Sequence, residues 1–277
     1  MSASAMALLS RRLLLPAALL LCVAQAHAGL IAHYKFDETS GTTAADSSGS
    51  GNTGALTNMA GTEWATGKVG GALNFNGSGG YVQLSQVTAI GSTSSTVAMW
   101  VKIPVPPNGN LGASERVGNI IGNYNSSPNM NLEVHNKGKI RYFWNNGEKS
   151  VFGSLDLRDN QWHHLAFVRD KDNDKLFGYI DGVVDLTTNG SASDVSFNTS
   201  FRIGRDNRGG SGIPFHGSID DLRIYDSAFS AGEVSALAAG GGAGAPEPAE
   251  TFAFLGLLSA AGLGFREWCS RRKGKAA

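Results

Sequence analysis

The chain contains little cysteine, little proline and no excess of charge of either sign. Its 277 residues include two cysteines and eight prolines, and 23 basic residues balance 23 acidic ones. Cys22 and Cys269 lie near the two ends, so the long sequence between them has no disulfide framework and depends on a hydrophobic core. The charge balance lacks the basic excess that usually accompanies nucleic-acid binding, and we predict no nucleic-acid partner.

Helical periodicity is also nearly absent between residues 29 and 239. Glycine is frequent, at 37 residues, and short runs that alternate apolar and polar residues are bounded by Gly, Ser, Thr and Asn, as in antiparallel β proteins. The predicted strands are 30–36, 81–85, 95–103, 119–124, 130–135, 139–144, 161–170, 175–181, 200–204 and 219–226. So many short strands indicate an all-β domain of two antiparallel sheets packed face to face.

Turns and one helix complete the predicted domain. Hairpin turns are expected at 136–138 and 181–183, where a glycine can adopt positive φ. The acidic run 170–174 has the ligand spacing of an EF-hand, but Lys175 stands where that loop requires glycine, so a hairpin turn is predicted instead. A short helix is predicted at 230–239, with Ser230 and Glu233 forming a capping box.

Residues 1–28 have the features of a secretory signal peptide. Arg11 and Arg12 precede an apolar run, and an Ala-His-Ala triplet at 26–28 supplies the small residues that signal peptidase requires. Leucine rather than a small residue precedes Cys22, which argues against lipid attachment. We predict an exported protein that begins at Gly29 after cleavage.

The C-terminal sequence combines a proline-containing triplet, an apolar run and a basic end. Residues 240–250 are a glycine-rich linker that contains Pro246, Glu247 and Pro248, and residues 251–277 hold the apolar run and basic tail. The run of 15 residues at 251–265 is short of the roughly 20 that span a bilayer. The basic cluster is expected to stay cytoplasmic. These features resemble a PEP-CTERM sorting signal, which implies a transient inner-membrane tether and processing by an exosortase in a Gram-negative bacterium; a permanent anchor is the alternative.

Five further segments, spread over residues 29–239, carry a second resemblance. They are 30–56, 70–84, 95–103, 159–185 and 201–237. In this order they resemble the LamG-like members of the concanavalin A-like lectin/glucanase superfamily. The resemblance implies a jelly-roll β-sandwich, in agreement with the predicted strands.

Enzymes and binding modules both occur in that superfamily, and the presence or absence of a catalytic pair of carboxylates distinguishes them. Its laminarinase-like enzymes carry Glu-x-Asp-x-x-Glu on one strand, and a retaining glycosidase needs two carboxyl groups about 5 Å apart. The six glutamates between residues 29 and 239 are widely separated and form no such motif. His163 and His164 alternate along a strand, where a structural role is expected. We predict a protein that is not an enzyme, with a polysaccharide hydrolase of unrecognised site as the alternative.

Oxygen-rich loops near the first and last predicted strands suggest a structural calcium ion. Asp37, Asp46 and Asn52 lie in loops after the first strand, and Asp220 lies in the last strand. Such oxygens suit calcium, and the resemblance implies that these strands lie close together and often hold the ion. An ordinary turn role for Asp46 stays open.

Strand alternation selects the candidate ligand-binding residues. The apolar residues of 130–135 are expected in the core, which places the intervening polar ones on a solvent-exposed outer face. Trp100 and Trp162, within strands, are expected in the core. The ligand-binding residues predicted on this face, on the next strand and, as a second candidate site, on nearby loops are Asn131, Glu133, Arg141, Trp144, Tyr124 and Arg205. The alternative is an ordinary solvated sheet face.

These features together predict an exported, non-catalytic binding module at the cell surface or in the extracellular matrix. Its expected partners are an extracellular polysaccharide or surface protein, with signal peptidase and exosortase acting during export. A purely structural matrix protein is a further alternative.

Overall fold

The structure, a computed structural model, describes residues 29–84, 93–105, 118–123, 129–144, 149–189, 201–207 and 213–240. Within these residues the chain forms short strands, one α-helix and one 3-10 turn. In chain order the strands are β1 Leu30–Tyr34, β2 Thr43–Ala44, β3 Gly54–Thr57, β4 Trp64–Thr66, β5 Gly71–Asn76, β6 Tyr81–Leu84, β7 Ser95–Lys102, β8 Gly118–Gly122, β9 Met130–Val134, β10 Ile140–Trp144, β11 Lys149–Phe152, β12 Trp162–Asp170, β13 Lys175–Ile180, β14 Val183–Asn189, β15 Arg202–Ile203 and β16 His216–Tyr225. The 3-10 turn is Asn136–Gly138, and the helix α1 is Ala231–Ala238.

The described strands form two eight-stranded antiparallel sheets. Sheet A has the order β14-β13-β12-β7-β16-β5-β4, and β1 pairs with β16 beside this path. Sheet B has the order β11-β10-β9-β8-β15-β6-β3-β2. Sequence-distant strands are neighbours in both sheets, as in a jelly roll. The predicted all-β sandwich of two antiparallel sheets is confirmed.

All ten predicted strands are present, with ends displaced by a few residues. The predicted hairpin turns are also confirmed. Asp181 and Gly182, both at positive φ, turn β13 into β14. Residues 171–174 connect β12 to β13, which pair from Asp170 and Lys175 onward, so this acidic run is a hairpin turn.

The core lies between the sheets because each strand directs alternate side chains inward. Leu73, Met99 and Ile219 of sheet A, with Leu132 and Ile203 of sheet B, have no exposed surface. A continuous apolar layer of this kind replaces the disulfides that the sequence lacks.

A second, smaller apolar cluster lies on the outer face of sheet A, the face turned away from sheet B. There α1 packs Val234 and Leu237 against Ala98, Ala166 and Tyr225. The predicted capping box is confirmed: Ser230 Oγ accepts from the Glu233 N–H, and the Ser230 N–H donates to Glu233 Oε2. No helix in the described part of the chain has the length and apolar character to cross a membrane.

Candidate functional site

The polar residues predicted on β9 belong to two rows that cross the outer face of sheet B, the face turned away from sheet A. Strand pairing aligns the residues of the first row as Gln83, Arg202, Gly122, Asn131, Phe143 and Ser150. It aligns those of the second row as Asn119, Glu133, Arg141 and Phe152. The alternation inferred for β9 is therefore correct, because its apolar residues lie in the core and Asn131 and Glu133 lie on the opposite face.

The expected solvent exposure of these residues is wrong. Asn119, Asn131 and Glu133 each have 0% exposed surface. Alternation decides which side of a sheet a residue occupies, but it does not show whether that side is open to water. The centre of the face is thus a buried polar layer, and substitutions there cannot be treated as surface changes.

Glu133 is hydrogen-bonded by Arg141, a half-buried residue at the border of the accessible part of the face. Arg141 donates from Nη1 to Glu133 Oε1 at 2.9 Å and from Nη2 to Ser150 Oγ at 2.8 Å. Its guanidinium carbon lies 5.3 Å from the centre of the Phe152 ring, and that residue is 49% exposed. We call Arg141, Ser150 and Phe152 the Arg141 flank; it presents a fixed charge, a hydroxyl and an open aromatic ring.

A second flank is built around Arg202 on the other side of the buried layer. Arg202 Nε donates to Gln83 Oε1 at 3.0 Å, and the guanidinium carbon lies 4.2 Å from the centre of the Tyr81 ring. All three side chains are half-buried. We call Tyr81, Gln83 and Arg202 the Arg202 flank; like the first, it places a guanidinium on an aromatic ring.

Two asparagine amides between the flanks are incompletely bonded. Asn119 Nδ2 donates to Asn131 Oδ1 at 3.3 Å, while Asn119 Oδ1 and Asn131 Nδ2 are buried and find no partner among the described residues. Gly122 permits this arrangement because a Cβ there would lie 2.1 Å from Asn131 Oδ1. An unbonded buried amide group costs about 1–3 kcal/mol, so the centre of this face is maintained against a stability cost.

The other predicted ligand residues are only partly placed. Arg205 follows β15, and its Nη1 lies 3.5 Å from the carbonyl oxygen of Gly79. Gly79 is two residues before Tyr81 of the Arg202 flank. The backbone of Trp144 pairs with Met130 at the end of β10. Tyr124, the Trp144 side chain and the sorting residues Pro246, Glu247 and Pro248 lie outside the described part of the chain.

The four residues predicted to hold calcium have separate roles. Asp46 Oδ1 accepts from the His33 and Ser48 N–H groups, and Oδ2 accepts from Ser48 Oγ and the Asn52 N–H. Although burial opposes it, these hydrogen bonds hold the pKa of Asp46 below its ordinary value. Asn52 Nδ2 donates to the Ile31 carbonyl oxygen. Asp46 and Asn52 together fasten their loop to β1.

Asp37 and Asp220 instead hold the turn between β4 and β5. Asp37 Oδ1 accepts from the Gly71 N–H, and Asp220 Oδ2 accepts from the Val69 N–H. Asp220 is fully buried, and its burial raises its pKa to about 6. The described residues contain no group of three or more Asp, Glu, His or Cys side chains able to hold a metal. The four residues form two pairs, each with its own hydrogen bonds, and calcium binding stays a prediction.

The two neighbouring histidines divide as expected for structural residues. His164 is buried, 5.2 Å from Trp100 between ring centres, and burial lowers its pKa to about 4. His163 Nδ1 lies 2.7 Å from Asp181 Oδ2, and its Nε2 lies 3.1 Å from Asp159 Oδ2. Although burial alone would lower it, these two carboxylates raise the pKa of His163.

Comparison with known proteins places this geometry in context. Residues 76–235 match the family model Laminin_G_3, described as concanavalin A-like lectin/glucanases superfamily. The comparison with curated proteins gives no match. Among solved structures, domain 4 of AbnA, a GH43 extracellular arabinanase from Geobacillus stearothermophilus, in complex with arabinotriose, is 26% identical. That match has a TM-score of 0.57 and covers 76% of this chain and 99% of that domain.

Toxin binding domains share the fold at lower identity. The binding domain of botulinum neurotoxin serotype D is 16% identical, with a TM-score of 0.57, over 76% of this chain and 51% of the toxin domain. The binding domain of Paraclostridial Mosquitocidal Protein 1 is 14% identical, with a TM-score of 0.56, over 76% of this chain and 52% of that domain. This chain therefore spans about half the length of either toxin domain, and the likeness concerns the fold.

Proposed function

The chain belongs to the Laminin_G_3 family of the concanavalin A-like lectin/glucanases superfamily, and from this premise we propose that it is an exported, non-catalytic module that binds an extracellular glycan. A shared fold alone does not define a function, so the proposal depends on the outer face of sheet B. The observation that carries it is the Arg141 flank, where an exposed ring stands beside a guanidinium fixed by two hydrogen bonds.

Such a flank suits a sugar ring. The Phe152 ring offers an apolar platform, and Ser150 and Arg141 offer polar groups for hydroxyls. Arabinotriose in the 26% identical arabinanase domain supports an oligosaccharide as the ligand class. Asn131 and Glu133, predicted as direct ligands, are better assigned as structural residues between the two flanks, because both are fully buried.

The absence of catalysis is part of the proposal. Glycosidases of the retaining type need a second carboxyl group about 5 Å from the first. On the two rows described above, Glu133 is the acidic member, and Arg141 holds one of its oxygens. This arrangement favours a supporting carboxylate over a general acid.

A panel of soluble polysaccharides and short oligosaccharides, including arabinotriose, tests this function with the full chain. We expect saturable binding to at least one member by isothermal titration calorimetry and no release of reducing ends from any. Reducing-end release would support the hydrolase alternative. A panel without a single ligand would contradict glycan binding and favour a structural or protein-binding role.

Export and C-terminal sorting are also proposed. The Gly29 nitrogen lies 2.6 Å from Asp226 Oδ1, so cleavage before Gly29 would place the new α-ammonium group beside a carboxylate. The Pro246–Glu247–Pro248 sequence supports removal of the tail after a transient inner-membrane tether. Mass spectrometry of the protein released from its native Gram-negative host should find an N-terminus at Gly29 and a C-terminus near Pro246–Ala249. Recovery of the tail with Cys269 would support the permanent anchor instead.

A further inference from the structure

A cleft on the outer face of sheet A, on the opposite side of the sandwich from both flanks, has the composition of a second ligand site. Its volume is about 340 Å³, within the range of small-molecule sites. Strand pairing aligns four of its residues across adjacent strands in the order Trp162, Lys102, Ser218 and Asn74. At the usual strand spacing of about 4.8 Å the row extends about 14 Å, the length of a short oligosaccharide.

Trp162 was expected in the core, and that expectation is wrong. It stands at the first position of β12, half-buried, and it lines the cleft. The next row along the same strands, His164, Trp100 and Asp220, is buried. The outer face of sheet A is therefore covered at the His164 row and open at the Trp162 row, which leaves the Trp162 indole accessible to a ligand.

The other members of the row supply polar groups beside this ring. Ser218 Oγ donates to Asn74 Oδ1 at 3.2 Å, which leaves the Asn74 amide N–H groups and the Ser218 oxygen for a ligand. Lys102 forms no ion pair within the described part of the chain. His216 and Asn160 are exposed at the edge of the cleft.

We propose that this cleft binds a glycan residue that carries a carboxylate, such as a uronic acid. The Trp162 ring stacks on the apolar face of the sugar, and Asn74 and Ser218 bond its hydroxyl groups. The Lys102 ammonium pairs with the carboxylate. Because the domain at 29–239 carries 16 basic against 20 acidic residues, general charge attraction does not favour an acidic chain, and discrimination rests on this one lysine.

A pair of probes with the same backbone tests the proposal on the full chain: an oligogalacturonate of defined length and its methyl-esterified, uncharged form. We expect the acidic form to bind more tightly, with quenching of tryptophan fluorescence. Trp162→Ala should weaken both forms by about 5- to 10-fold, the size of one aromatic contact. Lys102→Gln should lower the affinity for the acidic form to that of the ester and leave the ester unchanged.

Controls separate this site from the flanks of sheet B and from misfolding. Lys175→Gln removes an exposed lysine of sheet A outside the cleft and should change neither affinity. Trp162→Phe retains a ring and should recover part of the affinity, and Phe152→Ala, on the opposite sheet, should have no effect on the acidic form. The proposal is overturned if neither oligomer binds at millimolar concentration, if the ester binds as tightly as the acid, or if Phe152→Ala abolishes the binding while Trp162→Ala does not.

Discussion

The two outer faces of this sandwich are built from similar strands but use their polar residues differently. Sheet A carries α1 over an apolar patch of Ala98, Ala166 and Tyr225, and its polar row from Trp162 to Asn74 stays accessible. Sheet B has no α-helix over it in the described residues, yet Asn119, Asn131 and Glu133 in its centre are fully buried. The polar row from Trp162 to Asn74 is available for a ligand at little cost, whereas the central polar residues of sheet B are structural.

The largest loss of stability is expected from a substitution in the buried polar layer of sheet B. Arg141→Ala removes the guanidinium from Glu133, whose carboxylate has no exposed surface. We expect the free energy of unfolding to fall by about 3 kcal/mol, because the buried carboxylate loses its hydrogen-bonded guanidinium and keeps only weaker contacts such as His135 Nε2 at 3.9 Å. Urea denaturation measures this change. A loss below about 0.5 kcal/mol, the usual effect of a surface substitution, would show that the layer is open to water.

The next effect concerns the loop between β2 and β3, which Asp46 fastens to β1. Asp46→Ala removes an acceptor of four hydrogen bonds, three of them from backbone N–H groups. We expect a loss of about 2 kcal/mol, since charge-assisted hydrogen bonds are among the stronger ones.

Thermal melts of Asp46→Ala in chelator and in calcium distinguish this role from metal binding. Equal losses of stability in the two conditions support the hydrogen-bonding role. A loss confined to the calcium sample would restore Asp46 as a calcium ligand. A rise in the melting temperature of the unsubstituted chain on adding calcium would confirm that the ion binds the folded state.

A smaller, pH-dependent effect is expected where the turn at Asp181 and Gly182 packs under α1. Asp181 and Asp159 raise the pKa of His163, so protonation of the folded state adds stability. This contribution is fully present below the ordinary histidine pKa of about 6.5 and is lost as the pH rises through the raised value. His163→Gln should flatten the stability profile in that window. An unchanged pH profile in the variant would assign the dependence to other groups.

The smallest effect is expected on the accessible row of sheet A. Lys102→Gln should change the free energy of unfolding by less than about 0.5 kcal/mol, because the side chain is half-exposed and forms no ion pair in the described part of the chain. The same denaturation experiment as for Arg141→Ala gives a direct contrast between the faces. If Lys102→Gln lowered the free energy of unfolding as much as Arg141→Ala, the proposed difference between the two outer faces would be wrong.

The sequence predicted most of the fold because ten strands carry clear alternation and the helix carries its capping box. It missed β2, β3, β4 and β11, which are two to four residues long, and the six-residue β5. It also missed β14, whose Val183 and Val184 are exposed instead of alternating inward. The alternation along β9 predicted which of its side chains face the core and which face outward. It could not predict that the outward side chains are buried, since that depends on what covers the sheet.

Phe152 and Trp162 were missed as ligand candidates for a related reason. Trp162 begins a predicted strand, where aromatic residues are usually core, and Phe152 ends β11, a strand that was not predicted. Only strand pairing shows that Phe152 lies beside Arg141 and that Trp162 lies beside Lys102. The sequence could not decide between a calcium role and a turn role for Asp46 and Asp37, because short polar side chains serve both.

The central claim is that the Arg141 flank of sheet B binds glycan, and the affinity of Phe152→Ala for the oligosaccharide found in the panel tests it most directly. Phe152 is 49% exposed, so its truncation should leave the melting temperature nearly unchanged. We expect the dissociation constant to rise about 5- to 10-fold, with Lys175→Gln as a control that leaves it unchanged. An affinity equal to that of the unsubstituted chain would contradict the assignment of this face as the glycan site.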